Sequence, residues 1–391
     1  MQITRIKPGG WIIIILLIAG LAYGLHSCGH LFGGHQAAIS NSGSDLTQNL
    51  TPQQAAGGDI VVSTTGTKQK WMQGEIDKFN AQSQSGKATL QLAESRDAMQ
   101  GILSGKFEPT VWSPSSPVWI YRLADLWPQA HGGAKIADVN DSQTYRILFK
   151  SPLVFLTTKS KSGFLRPLLT GPTPWEDVRQ LSQGRRRAPW GAFHFAYADP
   201  LNASSGMLTM SLIINEYART HGGANDLTAA ASSPQFAVYL GQINRAFVRD
   251  PAAAGSSALE KAYAADPNSR DFITAYENAG LAAVEQNPDL VLIYPSPTAN
   301  ADQSAVLLSA AWVSDSQKAT ANAFLDFISK PEALDDGVQY YFRPSQNGAQ
   351  TLAARLGPNA KSQYQAVYTT VELPPYDALN EAAAQWRTET H

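Results

Sequence analysis

Residues 193–215 read FHFAYADPLNASSGMLTMSLIIN, and the reading of this stretch decides the fold. Phe193, Phe195 and Tyr197 alternate with the two-residue period of a pleated segment. Asp199-Pro200 ends it, because proline fixes its own φ, has no N–H for a ladder and holds the preceding residue out of the helical region. After a short polar turn, Ser204 or Ser205 stands where a helix N-cap is wanted. Met207, Leu208, Met210, Leu212, Ile213, Ile214 and Tyr217 then recur at helical spacing. The element is strand, hydroxyl-rich turn, helix. The first turn of a helix has unpaired N–H groups at the positive end of its dipole, which suits an anionic or polar ligand. Plain capping puts the same residues there with no ligand, so the weight of the element rests on its recurrence.

It recurs twice upstream. Ile60-Val61-Val62 is a compact β-branched strand, followed at once by Ser63-Thr64-Thr65-Gly66-Thr67 and a helix over 68–82 with Trp71, Met72, Ile76 and Phe79 inward. Thr110-Val111-Trp112 is a later strand with Ser113-Pro114-Ser115-Ser116-Pro117 as its turn. Val118, Trp119, Tyr121, Leu123 and Leu126 continue as a helix, whose first turn Pro117 suits. Between the two, residues 88–93 alternate as a strand, and Met99, Ile102 and Leu103 mark a short helix. Strands alternating with helices predict an α/β fold with a largely parallel sheet. In such sheets the ligand sits outside the carboxyl ends of the strands, where these turns lie.

A chain of 391 residues exceeds one ordinary core and predicts two domains or lobes. Its 30 Lys and Arg nearly balance 32 Asp and Glu, so there is no nucleic-acid footprint and no nucleic-acid partner is expected. The single cysteine, Cys28, excludes an intrachain disulfide and a Cys-based zinc cage. Arg5 and Lys7 precede the apolar run from Trp11, and residues 1–32 read as a signal anchor or a lipoprotein signal. Leu25-His26-Ser27-Cys28 resembles a lipoprotein box with His26 at an unusual position, which makes Cys28 the lipidation candidate; an uncleaved span is the alternative. Both readings tether the body on the outer face of a bacterial cell membrane. His26, His30 and His35 lack tetrahedral metal spacing. Residues 33–57, rich in Gly, Ser, Asn, Gln and Ala, read as a flexible linker.

The later half keeps the same texture. Residues 152–158 (PLVFLTT) and 289–294 (DLVLIY) are apolar runs fit for buried strands. Pro174 and Trp175 open an amphipathic helix with Val178 and Leu181, and Arg185-Arg186-Arg187 after it reads as a solvated loop. Helices are predicted near 235–248 and 257–265, and from Glu277 through Val284. A strand is predicted over 305–313 and an amphipathic helix over 316–329. Another helix starts at Pro331, and a final one carries Leu379 and Trp386 inward.

The order of Val61-Val62-Ser63-Thr64, Pro109-Thr110-Val111-Trp112-Ser113-Pro114, Ala198-Asp199-Pro200 with Ser204-Ser205-Gly206, Thr274-Ala275-Tyr276-Glu277, Leu292-Ile293-Tyr294-Pro295 and Phe342-Arg343-Pro344 resembles the bacterial extracellular solute-binding proteins. Within these it resembles the two-lobed kind that serves ABC importers, and it is similar to solute-binding modules joined to von Willebrand factor A domains. The resemblance covers about residues 58–345. It implies two α/β lobes joined by a two-segment hinge, like type II periplasmic binding proteins, with an N-terminal membrane segment ahead of them. Residues 58–152 would begin lobe one, residues 153–294 would form lobe two with the crossing strands, and residues 295–391 would return to lobe one and add C-terminal helices. The crossings would be 152–158 and 290–295. Ser63, Thr64, Ser113 and Ser115 would face the cleft from lobe one, and Ser204, Ser205 and Tyr276 from lobe two, with Tyr294 near the hinge. The implied function is capture of a small polar ligand, an oxyanion or a sugar, by lobe closure without a cofactor. The implied partner is an ABC permease or another inner-membrane or envelope protein.

An enzyme is not expected. Ser204-Ser205-Gly206 lacks the first glycine of a nucleophile elbow, and His131, His194 and His221 are scattered. No pair of carboxylates, such as Asp199 with Glu277, is identifiable as a glycosidase couple. A tethered module that contacts another envelope protein instead of a solute is the alternative; a filled cleft with a large exposed apolar patch would favour it, and an intact, ligand-sized cleft with paired helix N-termini would favour solute binding.

Overall fold

The computed structural model describes residues 58–222 and 226–390. The predicted anchor and linker, with Cys28, lie outside them. Among the described residues no helix is long and apolar enough to cross a membrane.

The chain opens with β1 (Ile60–Thr64), α1 (Gln69–Gln82), β2 (Ala88–Leu92), α2 (Ser95–Leu103), β3 (Val111–Ser113) and α3 (Val118–Ala130). Then come β4 (Tyr145–Thr158), α4 (Lys159–Leu169), α5 (Pro174–Ser182), β5 (Phe195–Ala196), α6 (Ser204–His221), α7 (Leu227–Ala231), α8 (Pro234–Ile243) and α9 (Ser256–Ala265). The remainder is β6 (Phe272–Tyr276), α10 (Glu277–Gln286), β7 (Leu290–Ile293), β8 (Asn300–Leu307), α11 (Asp315–Ile328), α12 (Pro331–Val338), β9 (Arg343–Pro344), α13 (Gly348–Arg355), α14 (Pro358–Lys361) and α15 (Tyr376–Thr390).

One strand organises the sheet. The first part of β4 pairs with β8, ending at Pro152 opposite Asn300; its second part pairs with β6 from Leu153 opposite Tyr276, and with β7. The first half-sheet runs β2-β1-β3-β8-β4, with β1 parallel to β2 and β3 and β8 antiparallel to β3. The second half-sheet continues through β6 to β5, parallel to each other. The chain thus leaves the first half-sheet between Pro152 and Leu153 and returns between Ile293 and Asn300. A third connection runs beside them, where Thr298 N–H donates to Thr369 O and Val371 N–H to Thr298 O, each at 2.8 Å.

The pattern over 152–158 finds only the buried end of β4. Its earlier part exposes Ile147 at 40% and alternates with the exposed Lys150, so it lacks the continuous apolar signal. The strand predicted over 305–313 lies earlier, as β8, because Asn300, Asp302 and Gln303 are polar side chains in a partly buried ladder.

Helix α6 is buried on almost every side, from Ser204 to Ala218, as a helix that is apolar all round should be. It ends at Gly222, whose φ of 85° is the left-handed geometry of a helix C-cap. Helix α15 straddles the two halves. Its first turn meets α3, with Tyr376 edge-on to Trp119 at 5.8 Å and Asp377 paired to Arg122 at 3.1 Å. Farther along, Trp386 packs on Tyr197 and Phe247, and Gln385 Nε2 donates to Ala231 O at 3.2 Å.

A buried ion pair clamps the point where β4 changes sheets. Arg343, on β9 beside Lys150 of β4, forks onto both oxygens of Glu277 at the start of α10; Arg343 is 4% and Glu277 1% exposed. Tyr294 donates its hydroxyl to Glu277 Oε1 at 2.8 Å, and the rest of the guanidinium bonds Gln365 O and Ala366 O between the faces of Tyr364 and Tyr368. Arg343 therefore meets a buried carboxylate, neither a ligand nor a surface acid. Glu277→Gln would leave this cation buried without its counter-charge and is expected to cost about 3–5 kcal/mol in urea denaturation, whereas Glu277→Leu combined with Arg343→Met should recover most of that loss.

Candidate functional site

The first turns of several helices meet between the two half-sheets, and their side chains form one hydrogen-bonded cluster. Trp119 Nε1, on α3, donates to Ser204 Oγ on α6 at 2.9 Å, and Ser204 Oγ donates to Ser95 Oγ on α2 at 3.2 Å. Ser95 Oγ accepts from the Ser115 N–H at 3.4 Å, and the Ser115 and Thr65 hydroxyls lie 2.5 Å apart. Within the second half Ser205 meets Ser256 at 2.8 Å, and across the boundary Thr67 meets Ser257 at 3.4 Å, both partners standing in the first turn of α9. Arg96 Nη1 donates to Leu201 O at 2.8 Å. The Tyr276 hydroxyl is fully buried beside Ser204 and Ser256 without a well-directed partner, and Ser63 Oγ is likewise buried and unpartnered.

The turn chemistry predicts Ser204 or Ser205 as the cap of α6, yet both stand inside its first turn, with Ala203 at the N-cap. None of α1, α2, α3, α6, α9 and α10 donates a backbone N–H to its N-cap side chain. By contrast α11, elsewhere, has a full capping box at Ser314, and α8 is capped by Ser233. The cluster's hydroxyls are thus turned toward one another, and the positive helix starts around them are left uncapped by their N-cap side chains.

The remaining predicted residues have internal partners. Thr64 Oγ1 donates to Ser113 O at 2.8 Å and Ser113 Oγ to Ser304 O at 2.7 Å, while Tyr294 belongs to the Arg343–Glu277 clamp. Residues not singled out from sequence complete the cluster: Thr65, Ser95, Trp119 and Ser256. Ser256-Ser257 before α9 repeats the Ser204-Ser205 doublet before α6, a signal that was present. Trp119 fits a helical core pattern, and its indole N–H gives no mark in the sequence.

Three titratable groups, one fully and two partly buried, stand around the cluster. Lys68, at the start of α1, is fully buried, with Nζ 2.7 Å from both Pro114 O and Gln303 Oε1 and no carboxylate, and burial holds it well below the ordinary lysine range. Glu94, the N-cap residue of α2, is pushed up to about 7 by burial and then by Asp97. Glu260, on α9, is pushed up to about 8 by burial and by Glu94, against the opposing Tyr276 N–H at 3.1 Å and Lys261. Both glutamates keep some accessible surface although desolvation dominates them.

Two cavities flank these elements. One of about 380 Å³ adjoins the cluster, walled by Arg96, Asp199, Asn202 and Arg249. An apolar one of about 280 Å³ lies on the later turns of α6, near Trp175, Leu212 and Pro297, away from the hydroxyls.

Gly206 fixes the position of α6. A Cβ there would stand 2.3 Å from Ala198 O and 2.7 Å from Pro200 Cα, both backbone. Gly206→Ala should push the helix start off the cluster, costing roughly 1–3 kcal/mol in denaturant melts. Burial gives a second expectation. Glu94 and Glu260 hold protons more tightly folded than unfolded, where a Glu titrates at about 4.3. Their stabilising contribution is complete at low pH and is lost as pH rises through about 7 and about 8. Stability measured across that range should decline, and Glu94→Gln with Glu260→Gln should flatten the decline.

Comparison with known proteins bears on this arrangement. The family described as bacterial extracellular solute-binding protein matches residues 60–343. A search of curated proteins finds no match. Among solved structures, the sulfate-binding protein SubI from Mycobacterium tuberculosis H37Rv is similar with a TM-score of 0.53 at 18% identity, over 77% of this chain and 92% of that one. The substrate binding protein of an ABC transporter from Agrobacterium tumefaciens gives 0.57 at 14% identity, over 86% and 95%. The ferric binding protein from Campylobacter jejuni gives 0.58 at 13% identity, over 84% and 99%. At these identities the likeness concerns the fold.

Proposed function

Because the chain belongs to the bacterial extracellular solute-binding proteins, we propose that it captures a small polar solute between two closing lobes and delivers it to an ABC-type importer. The family is one of binding proteins that act outside the cytoplasm, so no catalytic step is assigned. The half-sheets on either side of the Pro152–Leu153 crossing are the lobes, and the N-terminal residues tether them to the membrane, by a span or by lipid at Cys28.

One observation carries this reading. Hydroxyls from the first turns of α2, α6 and α9 converge with the Trp119 indole, at helix starts that no N-cap side chain satisfies. Such a group of neutral donors fits the oxygens of an oxyanion or a sugar. The buried Lys68 favours the oxyanion, because an anion beside Ser115 would support the ammonium form that burial now disfavours. The large hydrophobics exposed on the described surface, Tyr121, Ile147, Val238 and Val367, stand on separate segments of the chain.

Thermal unfolding against a panel of oxyanions, sugars and amino acids tests the reading. A ligand at a hundredfold excess over its Kd should add about 2.7 kcal/mol, seen as a raised Tm, and Ser204→Ala with Ser205→Ala should remove the shift. A flat response across the panel would overturn solute capture.

A further inference from the structure

Within that solute-binding reading, which this inference rests on, the site holds acceptors as well as donors. The Glu94 carboxylate stands at the α2 start, next to Ser95 of the cluster. A Cβ on Gly255 would lie 3.3 Å from its Oε1, so the α9 start closes over it with only a glycine between. Glu260 is one turn farther along α9 and is held by the N–H of Tyr276. The two carboxylates repel each other across the boundary, and Asp97 adds to the negative potential at Glu94. The nearby cations are directed elsewhere: Arg96 bonds Leu201 O, and Lys68 bonds Pro114 O and Gln303. Among the described residues, Lys261 is the cation that opposes the charge at Glu260. The Tyr276 hydroxyl is an independent pointer to a ligand: it is 0% exposed, lies beside Ser204 and Ser256, feels both glutamates and has no well-directed hydrogen-bond partner.

A plain oxyanion would satisfy the helix starts and hydroxyls but would meet two carboxylates. A simple amine would satisfy the carboxylates and leave the helix starts empty. We propose that the solute is a small zwitterion, whose oxyanionic group lies on the hydroxyl cluster of Ser95, Ser204 and Ser256 and whose ammonium group lies between Glu94 and Glu260. The two ends of the ligand then match the two kinds of group, donors and carboxylates, that the helix starts bring together.

Matched pairs of probes test this on the full chain by titration calorimetry: 2-aminoethanesulfonate against ethanesulfonate, 2-aminoethylphosphonate against ethylphosphonate, and glycine against acetate. In at least one pair the amine-bearing member should bind at least about tenfold more tightly. Glu94→Gln with Glu260→Gln should bring that ratio to near one while the amine-free member keeps or improves its affinity. The unliganded Tm of the double variant at pH above about 8 should equal or exceed that of the parent, which shows that the loss is not one of folding. A preference that survives the double variant would overturn the assignment to these glutamates. Equal binding within every pair, or binding only of plain oxyanions or sugars, would overturn the zwitterion and leave solute capture standing. Silence toward every solute would overturn solute capture itself.

Discussion

The buried pair of Arg343 and Glu277 holds the molecule together at the point where its sheet changes hands. Strand β4 serves both half-sheets without a break, so the geometry of each is referred to the short stretch around Pro152 and Leu153. Arg343 approaches that stretch from β9 and Glu277 from α10, and Tyr294 adds a hydrogen bond from the returning chain. A charge pair in this place is directional as well as strong. Its two-pronged contact fixes orientation in a way that apolar packing alone does not. The aromatic faces of Tyr364 and Tyr368 keep water from the pair and bring the C-terminal segment into the same joint.

The alternation of strands, hydroxyl turns and helices was legible because period and turn chemistry are local properties. β1, β3 and α6 lie close to where the residues 60–62, 110–112 and 204–217 place them, each strand running one or two residues into its predicted turn. The exposed half of β4 and the polar start of β8 escaped, since a ladder that half-buries Asp302 and buries Gln303 has no apolar signature. The site was legible in part. Ser115, Ser204, Ser205 and Tyr276 fall in or beside the cluster, whereas Thr64, Ser113 and Tyr294 bond within the scaffold. Local sequence marks where a hydroxyl sits relative to a helix start but not what stands across from it. Glu94, Glu260 and Lys68 were invisible for the same reason: a charged residue near a helix start reads as solvent-facing until another element is packed over it.

The charges around the cluster share one physical logic. Desolvation pushes Lys68 down and both glutamates up, so each is moved toward its neutral form. The neutral donors between them, Ser95, Ser204, Ser256 and the Trp119 indole, provide fixed polarity without titrating. The scaffold thereby keeps a polar interior at modest electrostatic cost, and it leaves the final charge distribution to be set by whatever enters.

Helix α15 adds a mechanical consequence. Its first turn rests on α3 through Tyr376 and Asp377, while its body rests on the second half-sheet's helices through Gln385 and Trp386. Together with the backbone contacts of Thr298 to Thr369 and Val371, it makes the joint a braced one: a rotation of the halves about β4 would have to shift these contacts. The same tryptophan donates to Ser204, so one indole touches both the hydroxyl cluster and the brace. Trp119 is therefore a shared bearing: the hydroxyl cluster and the C-terminal helix are both seated on one ring system.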